Sequence, residues 1–551
     1  MAGPGRLASV SECSELDFPA YSDVDSVRPF SRYLDAIRCI SASRSGWSGC
    51  SRSSSSPSAC TSSDHSPFAV DLLFEAETAA VDDKVLGDPG LREIAAQMVR
   101  DRHIHGLVMA FDREPGVLGR WFSELDVDWV VAGKDNGSFP DGSPDQWSVR
   151  RWTHALAVMV QALGGAQRYL RREWPTTAGG GIEDIEDALM KLSATDEPAD
   201  GLLLARFSQA SISTMLGFAD ALASAKNDVR AMEKIWALLE VYTCVWDAAE
   251  TLMPPLQAES RLLRNEDMKS LVREMEDVFS RSMHKMRQAI WTMIRDVKAL
   301  ITSKESWGAI PGNGQVHYTT RLVAEHLKLF WRYRSALNPI IVLKQLSDSW
   351  DSNLSCGTAI FGRRTIYSTD QAIAYMIHQL QCQLEAAESR SFSDPSLRYL
   401  FLANNSDFVM QPFVDSFSDF PVRIISNEMS KIDGYLESYV SVSWEPVVSC
   451  LHDQFQTMLC FSKQPSLTTF MCELQRIYNA HKLRRIPNLH LRVRLRKAII
   501  GKVIGAYEGY LADQYDVQDR YLGHDSGRGP PLPPRSSTSV MLDMLNELFE
   551  G

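Results

Sequence analysis

The chain has 551 residues, 44% hydrophobic, 23% charged and 9% aromatic, which excludes a collagen-like or globally disordered polymer and suits several globular units or one long rod. Lysine and arginine number 57 against 69 aspartates and glutamates, a net charge of −12, so the chain is not devoted to wrapping nucleic acid and any anion-binding surface must be local. Ten cysteines with no C-x-x-C pair and no regular spacing point to reduced thiols in a cytoplasmic setting.

The N-terminus, MAGPGRLASVSE, lacks the apolar core of a signal peptide. Ala2 and the ending LFEG encode neither myristoylation nor prenylation, and the most apolar stretch, Leu156 to Leu163, is far short of a membrane span. Any membrane contact is therefore expected to be peripheral. Residues 1–68 are expected to form a mostly disordered Ser-rich tail, because 12 serines in the 23 residues from Ser41 to Ser63 leave little apolar surface to offset the entropy of ordering. Within it, Phe30, Tyr33, Leu34 and Ile37 have the spacing of a short helix, either intrinsic or induced by a partner.

From Leu86 onward the apolar period is helical. Leu271, Met275, Val278, Met283, Met286, Ile290, Met293, Val297 and Leu300 line one stripe of a long helix. Shorter stripes run through Ile212, Met215, Leu216 and Ala219, through Leu322, His326, Leu327, Phe330 and Leu337, and through Ile373, Met376, Ile377, Leu380 and Leu384. Breaks are expected at Gly133–Pro144, Thr176–Gly181, Pro254–Pro255, Ile310–Gly314 and Gly527–Pro534. The fold class predicted is all-α, an elongated rod of stacked antiparallel helical bundles over 86–551, with 480–551 as a basic C-terminal bundle. No repeat of fixed period is present, so the stack is irregular rather than a solenoid.

No enzyme signature survives inspection. Gly133-Lys134 and Gly179 to Gly181 lack the geometry of a phosphate-binding loop, and GWSG at Gly46 ends in Cys50 where a nucleophile elbow needs glycine. His103 and His105 fall on different faces of a helix with no further ligand at metal-binding spacing, so they read as a structural or solvated pair. No cofactor and no metal are expected.

The strongest anomaly is electrostatic. Between His481 and Tyr507 stand Lys482, Arg484, Arg485, Arg492, Arg494, Arg496, Lys497 and Lys502, with no carboxylate. Such a patch on an acidic body orients a molecule toward an anionic surface. The plain alternative is a solvated helix flank, with Leu491, Leu495, Ile499 and Val503 as the buried stripe. Nucleic acid is the least fitting partner, since no Gly/aromatic RNA-binding pattern accompanies the charge. Further on, PPLPPR at Pro530 to Arg535 reads as a stiff linker or an SH3-type ligand, and Val540, Met541, Leu542, Met544, Leu545, Leu548 and Phe549 predict a last helix docked on the body.

Several segments, in this order, resemble the seventy-kilodalton subunit of the exocyst, the complex that tethers secretory vesicles to the plasma membrane, and most closely its plant branch. They are LREIAAQMV at Leu91, RWTHALAV at Arg151, VHYTTRLVAEHLKLF at Val316, DPSLRYLFLANNSDFVM at Asp394, IPNLHLRVRLRKAIIGKVIGAYEGYL at Ile486 and LNELFEG at Leu545. The resemblance implies a non-catalytic helical rod that assembles with other exocyst subunits, contacts small GTPases and binds phosphatidylinositol bisphosphate through C-terminal cations. Here those cations would be the eight from Lys482 to Lys502, on a cytoplasmic protein peripheral at the plasma membrane. In this chain GRGPPLPPR stands where relatives carry a lysine-bearing segment before the last helix, and a Ser-rich tail stands where they carry a coiled coil. The alternative is a divergent interaction scaffold or decoy, for instance in plant defence, acting outside the assembled complex.

Overall fold

A computed structural model describes residues 31–43, 85–132, 146–173, 199–225, 232–262, 265–308, 310, 312–347, 368–415, 420–452, 466–521 and 536–550. Among them every regular element is helical, and no strand occurs. An N-terminal helix α1 (Ser31–Ser43) precedes four short helices, α2 (Pro89–Arg100), α3 (His103–Phe111), α4 (Val117–Glu124) and α5 (Asp128–Ala132). Four long helices follow: α6 (Gln146–Glu173), α7 (Ala199–Ser224), α8 (Met232–Leu262) and α9 (Glu266–Thr302). The middle of the chain supplies α10 (Tyr318–Arg332), α11 (Arg334–Ser347), α12 (Thr369–Ser391) and α13 (Pro395–Asp415). The end supplies α14 (Val422–His452), α15 (Ser466–His481), α16 (Leu489–Tyr521) and α17 (Ser536–Asn546).

Helix starts are set locally. The Asp88 carboxylate accepts from the N–H groups of Gly90 and Leu91 at 2.7 and 3.1 Å, with Pro89 in the first turn of α2. Asn265 does the same for Asp267 and Met268 at the start of α9. Packing then follows chain order. Helices α2, α6, α7, α8 and α9 make the first bundle, α9 to α13 the second, and α13 to α17 the third. Helices α9 and α13 each belong to two bundles. The result is the elongated stack that the helical period predicts.

The predicted stripes are core. Ile212, Met215, Leu216 and Ala219 are buried, as are Leu322, His326, Leu327, Phe330 and Leu337, and Ile373, Met376, Ile377, Leu380 and Leu384. In α9 the buried set is wider than the single stripe: Met268, Val272, Phe279, Ile294 and Ile301 are buried, while Leu271, Val278, Met283 and Leu300 pack only partly. The reason is that α9 packs on α7 and α8 as well as on α10 and α12, so two faces lose water.

One expectation is corrected. Pro254 and Pro255 lie inside α8 and do not end it. Pro254 is exposed and Pro255 half-buried, while Leu252, Met253 and Leu256 around them are buried, so packing of those residues carries the helix across the backbone bonds that the two prolines cannot make. The short helix that Phe30, Tyr33, Leu34 and Ile37 suggest within the Ser-rich tail is present as α1, Ser31–Ser43, which docks on α2, α4 and α6. Ile37 and Tyr33 are buried, the Tyr33 hydroxyl donates to Asp101 at 2.6 Å, Arg38 donates to Asp126 at 2.8 Å, and the Ser41 hydroxyl meets His154 Nδ1 at 2.8 Å. Four contacts spread over three turns outweigh the serine-rich composition that follows. Of the other breaks, Ile310–Gly314 falls between α9 and α10, while those at Gly133–Pro144, Thr176–Gly181 and Gly527–Pro534, the serines from Ser45 to Ser63 and the PPLPPR motif lie outside the described residues.

Candidate functional site

The basic cluster sits where α15 turns into α16. The stripe Leu491, Leu495, Ile499 and Val503 is buried as predicted, and it seats α16 on α14. The turn itself is fastened from α13. Asn404, buried, donates to the main-chain carbonyls of Gly314 and Arg485 at 2.8 and 3.2 Å. The neighbouring Asn405 carboxamide accepts from the His317 N–H at 2.8 Å and donates to Phe401 O at 2.8 Å. Gly314 has φ +75°, and Leu400 stands 3.3 Å from where a Cβ would be, so only glycine fits this approach. Asn488 donates to Asp407 at 2.6 Å and accepts from the His490 N–H at 2.8 Å, which starts α16. Ile486 is fully buried.

The last residues close the same end. Met541, Leu545, Leu548 and Phe549 are buried against the body, as predicted for the final helix, while Val540 stays exposed. Phe549 adopts φ +67°, a conformation that costs a non-glycine residue about 1 kcal/mol. It brings its ring edge-on to Tyr439 at 6.0 Å.

The eight predicted cations divide into two groups. Arg484 is buried, donating to Asp394 at 2.9 Å and to the Ser396 hydroxyl at 2.7 Å. Arg494 pairs with Asp433, Lys502 with Glu445, and Arg496 with Glu550 at 3.0 Å while also donating to Leu548 O at 2.8 Å. These four are therefore not the unneutralised charges that the segment alone suggests. The segment has no carboxylate, but the residue before α13, two residues of α14 and the chain's last described residue bring four to it. The other four keep no carboxylate partner among the described residues. Lys482 lies over the Tyr478 ring at 5.6 Å, Arg492 donates to Ile486 O at 3.2 Å, and Arg485 and Lys497 are exposed.

Beneath the turn lies a buried polar knot. The Tyr439 hydroxyl and His481 Nδ1 are 2.8 Å apart, and Trp444 stands edge-on to the imidazole. Burial pushes His481 down to about 3, helped by Arg484, so the ring is neutral. Burial likewise raises the Tyr439 phenol. At Asp394 burial acts upward and is outweighed by the Ser396 hydroxyl and N–H and by Arg484, which hold the carboxyl below its ordinary value. A neutral imidazole, a fixed ion pair and rings packed edge-on and tilted make a rigid joint with no nucleophile and base arranged for chemistry.

At the other end of the molecule His103 Nε2 meets Glu124 at 2.6 Å while His105 is exposed, so the two imidazoles do not converge. No group of metal-ligating side chains occurs among the described residues, and no described helix is long and apolar enough to cross a membrane.

The family model for the C-terminal part of the Exo70 exocyst complex subunit matches residues 150–524. The chain belongs to the Exo70 family. That Exo70 region takes in nearly all of α6, the whole of α16 and every helix between them, including the α15–α16 turn. The exocyst complex component EXO70A3 of Arabidopsis thaliana is 21% identical over 480 residues, 84% of this chain and 71% of the relative. EXO70A1 of the same plant is 20% identical over 508 residues, 87% and 69% of the two chains. Among solved structures, the S. cerevisiae exocyst component Exo70p is similar over 85% of this chain and all of its own, at 13% identity and a TM-score of 0.36. The chain is thus an Exo70 of plant type, and Exo70 is a structural tethering subunit rather than an enzyme.

Three side chains at the turn escaped the charge-based reading. Leu483, Leu489 and Val493 are apolar and exposed. The signal was available, since Leu489 and Val493 fall off the Leu491–Leu495–Ile499 stripe, but a count of charges passes over them.

Proposed function

We propose that this Exo70 assembles with other exocyst subunits, small GTPases among its contacts, and helps to hold secretory vesicles at the plasma membrane. Its α15–α16 turn rests on acidic phosphoinositide lipid. The observation that carries the lipid part is the group of four cations without carboxylate partners among the described residues, Lys482, Arg485, Arg492 and Lys497, on a turn fastened by Asn404, Asn488 and Ile486. Near an anionic leaflet each adds about 1 kcal/mol, so four suit a reversible peripheral contact. Arg484 is assigned to the interior joint, and Arg494, Arg496 and Lys502 to ion pairs that rim the surface.

Vesicle flotation with and without phosphatidylinositol bisphosphate tests the lipid reading. The native chain is expected to float with the acidic vesicles. A Lys482→Glu/Arg485→Glu/Arg492→Glu/Lys497→Glu variant should stay behind, and equal recovery of the two chains rejects the reading. One observation favours a second role, a scaffold or decoy in plant defence outside the complex: half of the basic cluster is already neutralised within the chain. Purification from plant tissue separates the two, because stoichiometric recovery of the other exocyst subunits excludes the scaffold.

A further inference from the structure

Leu483, Leu489 and Val493 expose 74%, 60% and 52% of their surface. A single exposed leucine means little, but these three share one turn and its helix start with the four cations that lack carboxylate partners among the described residues. Leu483 follows Lys482 and precedes Arg484 and Arg485. Leu489, Val493 and Lys497 recur at steps of four on one side of α16, with Arg492 beside them. The opposite side of the same turns carries the buried Leu491, Leu495 and Ile499, so packing accounts for one apolar face of the helix and not for the other. Nor is this a loose end of chain, since Asn404 holds the Arg485 carbonyl, Asn488 holds Asp407, and Ile486 is buried between them.

We propose that Leu483, Leu489 and Val493 form an apolar wedge that enters the boundary between headgroups and acyl chains, while Lys482, Arg485, Arg492 and Lys497 hold the surrounding lipid phosphates. Charge complementarity commits the face to an acidic membrane. Long cationic side chains flank the apolar ones and reach outward to phosphates as the apolar ones sink, the arrangement that interfacial elements use. The wedge rests on the reading that this turn meets lipid, and it adds a component that salt does not screen. Charge brings the turn to the leaflet, and the wedge keeps it there.

Flotation of the full chain with vesicles of phosphatidylcholine and phosphatidylserine, at low and at high salt, separates the two components. The native chain is expected to keep part of its binding at high salt, where exposed charges are screened over a few ångströms. A Leu483→Ser/Leu489→Ser/Val493→Ser variant should bind at low salt at least about tenfold more weakly, the effect of withdrawing one leucine from an apolar medium, and lose the salt-resistant fraction altogether. The four-glutamate variant should fail at low salt. All three apolar residues are exposed, so an unchanged thermal melt certifies the fold of the serine variant. If that variant matches the native chain at both salts while the glutamate variant fails, the wedge is overturned and the basic contact stands. If the native chain does not float, or neither variant differs from it, the lipid reading falls and the wedge with it, and an acidic protein takes the place of lipid.

Discussion

Replacing Arg484 separates a structural cation from the lipid-facing ones. The guanidinium is buried and donates to Asp394 and Ser396, so removing it breaks one charge-assisted bond and one to a hydroxyl. Breaking a fully buried ion pair costs about 3 to 5 kcal/mol, but the Asp394 side chain is 41% exposed and regains water, which brings the cost of Arg484→Met down to about 2 kcal/mol. Methionine keeps most of the volume, so little cavity is added. At 1.36 kcal/mol per factor of ten, local opening should become about thirtyfold more frequent. Hydrogen exchange of the full chain reads this directly, as faster exchange confined to the start of α13 and to residues 481–490. Flotation of the same variant should match the native chain, because the lost charge never faced outward. Unchanged exchange together with weakened flotation would refute the reasoning and return Arg484 to the membrane surface.

The neutral His481 gives a pH dependence. Its folded value of about 3 lies below the ordinary 6.5, so between those values the unfolded chain binds a proton that the folded chain refuses. Stability is complete above 6.5 and declines as pH falls through that window, by several kcal/mol in all; urea midpoints taken above and below 6.5 should show it, and His481→Asn should flatten it. Gly314→Ala forces a side chain into a left-handed conformation against Leu400, and a loss of about 1 to 2 kcal/mol is expected, read as a lower unfolding midpoint. Ile37→Ala removes about 2 to 5 kcal/mol from the docking of α1. A helix of 13 residues is marginal without that contact, so all of α1 should lose exchange protection together; retained protection would mean that docking is not what forms it.

The fold was legible because its signal is local. Leu491, Leu495, Ile499 and Val503 declare their face by spacing alone, and so do the stripes of α7, α10 and α12. The candidate site was legible only in part, because what decides each cation is far away in the chain. Asp394, Asp433, Glu445 and Glu550 neutralise Arg484, Arg494, Lys502 and Arg496 from other helices and from the chain end, and no spacing rule within 481–507 can announce them. Helix α1 was legible as a helix from the spacing of Tyr33, Leu34 and Ile37, but not where it docks, because the partners of Tyr33, Arg38 and Ser41 are the distant Asp101, Asp126 and His154. Pro254 and Pro255 mislead in the opposite sense, since a strong local rule yields to burial of the residues on either side.

Because α9 and α13 each belong to two bundles, no joint of the stack is made by loops alone. A pull between the two ends must shear whole helices along their lengths, breaking many side-chain contacts at once, before any bundle can part from the next. For a protein that holds a vesicle against thermal buffeting, such splints make the molecule stiff in tension and let it carry strain from one attachment to the other without unravelling.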